Sequence, residues 1–259
     1  MRCSKMKNKN SIDSLIEYIK NVLSEIPNFK LVQTDPNASK LFNSIVAKYS
    51  DIQSFKTLYK MYYIPAANRA IIDTRKELKT SIYKKYIIIT DDELKENYYE
   101  TIRLGYVGLF HKIENFVKEM LVQANLILNI HKEEKDSIEN YYKNNYKFTF
   151  NNWKEDPIIE KINWISNCEK HYDGFPLKEP NLLNLPKYEK IKKVHEDFYK
   201  DIDYVAEIFY KNKLLEIFML SSFKMIKDYI SENTPTDEIK QKSLIFELTV
   251  KDYIKSKRI

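Results

Sequence analysis

Apolar residues recur along this chain at intervals of three and four, and almost nowhere by alternation. Residues 11–26, SIDSLIEYIKNVLSEI, place Ile12, Leu15, Ile16, Ile19, Val22, Leu23 and Ile26 on one helical stripe, which Pro27 closes. A second helical region is expected over 37–62 with a break inside it, and a third from about Ala66 to Tyr86. The run YIIIT at 86–90 is ambiguous between a helix end and a short strand. The clearest helix spans 91–130. Thr90 reads as its N-cap, and Asp91, Asp92 and Glu93 fill the first turn, where the helix dipole favours negative charge. Leu104, Val107, Phe110, Ile113, Val117, Met120 and Leu121 form its buried stripe. Beyond it, 132–145 reads as a polar helix and YKFTFNNW at 146–153 as a loop or short strand. Asp156 and Pro157 then open a helix over 157–172, with Ile158, Ile162, Ile165, Cys168 and Tyr172 facing inward. Gly174 and Pro176 stop it. The segment 174–187 carries Pro176, Pro180 and Pro186 and is the longest breaker-rich loop, hence the leading candidate for a functional one. Helices at about 187–199, 200–232 and, past Pro235, 237–255 complete the pattern.

Composition agrees with this reading. Only 3 glycines and 8 prolines in 259 residues are too few for a fold rich in tight turns, and 43% hydrophobic residues build a real core. The expectation is all-α: an N-terminal helical segment over 1–88, then a helical bundle over 89–259. Gly105 and Gly108, three apart in mid-helix, predict the close approach of another helix, or an oligomer interface on that face. The net charge of +6 suggests nucleic acid until its location is considered. Arg2, Lys5, Lys7 and Lys9 stand without an acid among the first ten residues, and Lys251, Lys255, Lys257 and Arg258 face only Asp252 at the other end, so the stretch between is close to neutral. The two cysteines, Cys3 and Cys168, offer neither a disulfide framework nor a zinc spacing, and no apolar run approaches a membrane span. A cytoplasmic protein with no metal and no cofactor is expected.

The stretch INWISNCEKHYDGFP at 162–176 is the most site-like in the chain. Asn163, Asn167 and His171 follow one another at intervals of four, so a polar strip runs beside the apolar stripe and ends in an imidazole. An imidazole with hydrogen-bonding neighbours is the minimum equipment for acid–base work on a phosphodiester near neutral pH. The same histidine at a helix C-terminus also serves as a simple cap. His111, Glu114 and Asn115 form a second cluster that can face the His171 helix, or a half-buried edge with no chemistry. His131 and His195 read as a cap and a solvated residue, and no glycine-rich phosphate loop or nucleophile elbow is present.

ISNCEKHYDG resembles the signature of HEPN-superfamily domains, in which a helix carries Arg, then a polar residue, then His four to six positions after the Arg, often before an Asn/Asp-Gly turn. RLGYVGLFHKIENFVKEML at 103–121 is similar to the first bundle helix of bacterial HEPN proteins. The resemblance covers about 170 residues and implies a helical bundle that acts on RNA. Members with the full motif are metal-independent endoribonucleases of toxin–antitoxin, phage-defence and RNA-processing systems, usually as homodimers. His171 then matches the family acid–base residue and Asn167 the polar position that orients it, with Arg103, His111, Glu114 and Lys170 as supporting candidates. The Arg position falls on Ser166, which supplies no fixed positive charge. The resemblance therefore leaves three expectations open: a ribonuclease, an inactive module that binds RNA or a protein partner, and a structural oligomerisation unit.

Overall fold

The computed structural model of the chain describes residues 11–23, 36–127 and 153–233, with the single positions 140, 143 and 248. Every regular element among them is helical, which makes the protein all-α. The helices are α1 (Ser11–Leu23), α2 (Pro36–Leu58), α3 (Ile64–Thr80), α4 (Asp91–Ile127), α5 (Pro157–Tyr172), α6 (His195–Tyr204) and α7 (Tyr210–Asn233). The helix expected over 237–255, the polar stretch 132–145 and the alternating run 146–152 lie outside the described residues, apart from the helical positions Asn140, Lys143 and Leu248.

Two compact units divide the chain. The first comprises Met1–Ser50, Phe116–Asn151 and Tyr210–Ile259. Its core is a ladder of fully buried side chains: Leu15 and Ile19 on α1, Leu41, Ile45 and Tyr49 on α2, Met120 on α4, and Leu214 and Ile226 on α7. Phe116 stacks on Tyr210 at 3.9 Å between ring centroids. The second unit comprises Asp51–Asn115 and Asn152–Phe209. Ile102, Tyr106, Leu109 and Ile113 of α4 bury one face, Ile159, Ile162 and Ile165 of α5 another, and Phe198 and Ile202 of α6 a third. Burial of this kind stabilises by about 25 cal/mol per Å² of apolar surface removed from water.

Local chemistry explains most helix ends. Thr90 and Glu93 cap α4 reciprocally: the Glu93 N–H donates to Thr90 Oγ1 at 3.2 Å, and the Thr90 N–H donates to Glu93 Oε2 at 2.7 Å. These hydrogen bonds from Thr90 hold the Glu93 carboxyl below the usual range. The break expected inside 37–62 falls at its end, where a wide π-helical turn, Tyr59–Tyr63, joins α2 to α3. Pro65 lacks the N–H that an unbroken α-helix would need there, and the widened turn absorbs the loss. The third helix stops at Thr80, six residues short of the expected end, because the Thr80 hydroxyl turns back onto Lys76 and Glu77 carbonyls and Ser81 is extended. The YIIIT run is neither helix nor strand.

One expectation needs correction in this region. The helix placed over 187–199 begins only at His195, and the one placed over 200–232 is two pieces joined by a second π-helical turn, Val205–Phe209. Residues 187–194 stay irregular because their backbone groups are engaged elsewhere: the Ile191 N–H donates to Gly174 O at 2.8 Å and the Ile191 carbonyl accepts from Arg103. Glu196 and Asp197 then fill the first turn of α6.

Candidate functional site

Helix α5 carries the candidate chemistry. Asp156 caps it by accepting from the Ile158 and Ile159 N–H groups at 2.9 and 3.1 Å, with Pro157 at the first helical position. Tyr204 donates its hydroxyl to the other Asp156 oxygen, and its own pKa is pushed up to about 12 by burial and by that carboxylate. Ile162, Ile165 and Cys168 are buried, as the spacing predicts, but Ile159 takes the place of Ile158, which is half-buried, and Tyr172 is exposed. Trp164 and Ser166 are buried in addition. The Cys168 thiol is buried, and that burial pushes its pKa up.

At its C-terminal end the helix turns over through two left-handed residues, Asp173 (φ 51°) and Gly174 (φ 80°), whose N–H groups meet the Cys168 carbonyl. A Cβ on Gly174 would lie 2.6 Å from Arg103 Nε, so this glycine is required both by its φ and by the space.

Beneath Gly174 lies a network of charges. Arg103 is 1% exposed, and each nitrogen of its guanidinium donates a hydrogen bond: Nε to Glu169 Oε2 at 2.6 Å, Nη2 to Glu96 Oε1 at 2.7 Å and Nη1 to the Ile191 carbonyl at 3.1 Å. Burial opposes its charge, but the bonds and field of Glu96 and Glu169 outweigh that and hold its pKa above the ordinary value. Lys190 extends the network to Asp173 at 2.8 Å and Glu96 at 3.6 Å. Through the hydrogen bond to Lys190, the Asp173 carboxyl is held below the usual range.

The sequence candidates are not brought together. Asn167 donates to Asn163 Oδ1 at 2.8 Å, so the polar strip exists, but it stops there. His171 is exposed and, among the described residues, makes no hydrogen bond or ion pair; its ring meets only the edge of neighbouring Tyr172. Lys170 lies over the Phe110 ring at 5.9 Å. His111 is exposed and its Nε2 pairs with Asn115 Nδ2 at 2.9 Å, while Glu114 is half-buried beside them. Ser166 faces the core, where its hydroxyl is buried without a hydrogen-bond partner. Positions 166 and 171 are five residues apart, hence about 140° apart around the helix.

Sequence reasoning missed Glu96, Glu169 and Lys190. Glu169 stands inside the quoted motif, but its partner is 66 residues away and no local spacing reveals it. It also placed His195 on a solvated face. The ring is half-buried instead, with Nδ1 2.9 Å from the Tyr98 hydroxyl, which also accepts the His195 N–H at 3.0 Å. The loop 174–187 is tied down: Trp164 Nε1 donates to the Lys178 carbonyl and Asn181 to the Leu185 carbonyl, both at 2.8 Å.

A cleft of about 430 Å³ opens between α3 and α4, lined by Tyr63, Ala67, Ala70, Ile71, Leu94 and Leu104 among others. The face that Gly105 and Gly108 present is filled within the chain by Phe55, Tyr59 and Phe198, so the oligomer interface expected there is already occupied. Among the described residues no group of His, Cys, Asp and Glu is placed to hold a metal ion, and no helix is long and apolar enough to cross a membrane. No family model, no curated protein and no solved structure matches the chain.

Proposed function

We propose that this chain is a non-catalytic, HEPN-like helical module that works by binding a protein partner. The observation that carries this reading is the engagement of the charge: among the described residues His171 is exposed and makes no hydrogen bond or ion pair, while Arg103 is buried and paired with Glu96 and Glu169 beneath Gly174. Cleavage of a phosphodiester by this route needs a proton-transfer group and a fixed cation on one phosphate, and the Arg103 charge is buried and already balanced by two carboxylates. The exposed apolar surface around α3, including Met61, Tyr62 and Ile72 at 65, 62 and 62% exposure, supports a protein partner over RNA.

The test is incubation of RNA with the purified chain without metal, comparing wild type with His171→Ala. The expected result is no cleavage by either. Products ending in a 2′,3′-cyclic phosphate, formed by wild type and lost in the variant, would replace this reading with the ribonuclease, in which His171 acts and Asn167 orients it.

A further inference from the structure

We infer that the 82–89 loop docks this chain on the surface of an anionic lipid bilayer, its isoleucines and tyrosines entering the interfacial region while the lysines beside them meet the charged headgroups. The inference goes beyond the partner-binding reading and does not rest on it. Between α3 and α4 the chain reads IYKKYIII, and Ile82, Tyr83, Tyr86 and Ile88 are 86, 62, 84 and 91% exposed. Eight consecutive residues occupy one place, so these side chains make a single apolar tip without help from any other element. Scattered exposed apolar residues are ordinary, whereas a cluster of this kind marks a surface that something covers.

Charge selects the cover. From 76 to 90 the chain has four lysines, Lys76, Lys79, Lys84 and Lys85, against one acid, Glu77. All four lysines are exposed and, among the described residues, take part in no ion pair. The acids that follow are engaged: Asp91 by Arg75 and Lys95, Asp92 by Lys192, and Glu93 by the Thr90 cap. Farther back on α3, Arg69 and Asp73 balance in sign. A basic surplus therefore stands with the apolar tip, and an anionic bilayer answers both at once, with negative headgroups above an apolar depth. Lysine stems and tyrosine rings suit that boundary because each is apolar along its length and polar at its end.

The backbone is prepared for the same surroundings. Polar main-chain groups that leave water need partners within the chain. The Tyr83 N–H donates to Ser81 Oγ, the Lys84 N–H to the Ser81 carbonyl and the Tyr86 N–H to the Tyr83 carbonyl. Eight residues are too few to cross a bilayer as a helix, so the contact is with its surface. Met61 and Tyr62 stand just before the start of α3, about 24 Å from the loop along the helix axis, which leaves that surface to a protein partner.

Flotation of the full chain with vesicles tests this, comparing phosphatidylcholine alone with phosphatidylcholine containing about a third phosphatidylserine. Wild type should bind the mixed vesicles at least about tenfold more tightly than the neutral ones and lose that advantage in high salt. Lys84→Ala/Lys85→Ala should weaken binding to mixed vesicles by about thirtyfold and flatten the salt response. Ile82→Ser/Ile88→Ser should weaken it by about tenfold or more and leave the salt response in place, a split that a misfolded loop would not produce. Both variants change only exposed side chains, so helical circular dichroism should match wild type. Failure of wild type to bind the mixed vesicles overturns the inference. Binding that survives both loop variants and disappears when 1–10 and 251–259 are deleted belongs to the basic ends and overturns it too. Self-association in place of vesicle binding, abolished by the isoleucine variant, assigns the tip to a second copy and also overturns it. The RNA assay is separate: His171-dependent cleavage sinks the partner-binding reading and leaves the bilayer contact standing.

Discussion

A guanidinium withdrawn from water must have its charge answered, and Arg103 is answered by two carboxylates and a carbonyl. Removing it leaves Glu169, only 9% exposed, without its counter-charge. Arg103→Met is therefore expected to destabilise by about 3–5 kcal/mol, read from urea denaturation, with Arg103→Lys recovering only part because an ammonium cannot serve all three acceptors at once. Gly174→Ala combines a positive φ with a Cβ 2.6 Å from Arg103 Nε, and should cost about 2 kcal/mol or more by the same measurement. Asp173 supplies a pH test. Its folded carboxyl lies below its ordinary value, so its pairing with Lys190 contributes above the unfolded value of about 3.9 and is lost as pH falls through the depressed folded one. Asparagine tolerates the same left-handed backbone, so wild type should exceed Asp173→Asn in stability near neutrality, and the difference should shrink as the pH is taken below about 4. Arg103 was legible from the sequence as a candidate, but its work was not: a buried arginine is recognised by its partners, and these come from positions 96, 169 and 191.

At the scale of elements, what could be read from the sequence is what local chemistry decides. Helices α4 and α5 begin where Thr90 and Asp156 announce them, because a cap needs only residues two or three positions away. Asp156→Ala should lower thermal stability by about 1–2 kcal/mol, since it removes both cap bonds and the partner of Tyr204. The misplaced start of α6 has the opposite origin. Residues 187–194 carry no local stop signal beyond Pro186, and what keeps them irregular is Gly174 and Arg103, distant in sequence. The glycine pair of α4 gives a graded test. A Cβ at Gly105 would press on Phe198 and Tyr59 at 2.8 and 2.9 Å, so overpacking of about 1–3 kcal/mol exceeds the roughly 1 kcal/mol gained in helix propensity. At Gly108 the nearest atom is 3.1 Å away on the half-buried Phe55 ring, which can tilt. Gly105→Ala should destabilise and Gly108→Ala should fall within about 0.5 kcal/mol of wild type in parallel denaturation curves.

For the whole molecule, the all-α class followed from composition and periodicity together, because the scarcity of glycine and proline excludes turn-rich folds before any helix is placed. Charge is distributed so that many lysines of the described body are already paired, among them Lys48, Lys56, Lys60, Lys112, Lys161 and Lys192. The basic surplus belongs to residues 1–10 and 251–259, which lie outside the described residues. Any association with nucleic acid should accordingly be weak, fall steeply with salt, and vanish when both segments are deleted, as measured by fluorescence anisotropy of a labelled oligonucleotide; retention by the trimmed chain would assign a nucleic-acid surface to the folded body. Both tryptophans, Trp153 and Trp164, fall in the second unit, and Trp164 is buried with its indole N–H held by the Lys178 carbonyl. Tryptophan emission, unlike that of the tyrosines spread through both units, thus arises from one half of the chain alone, and it reports when the 173–194 loop lets go of the Trp164 indole.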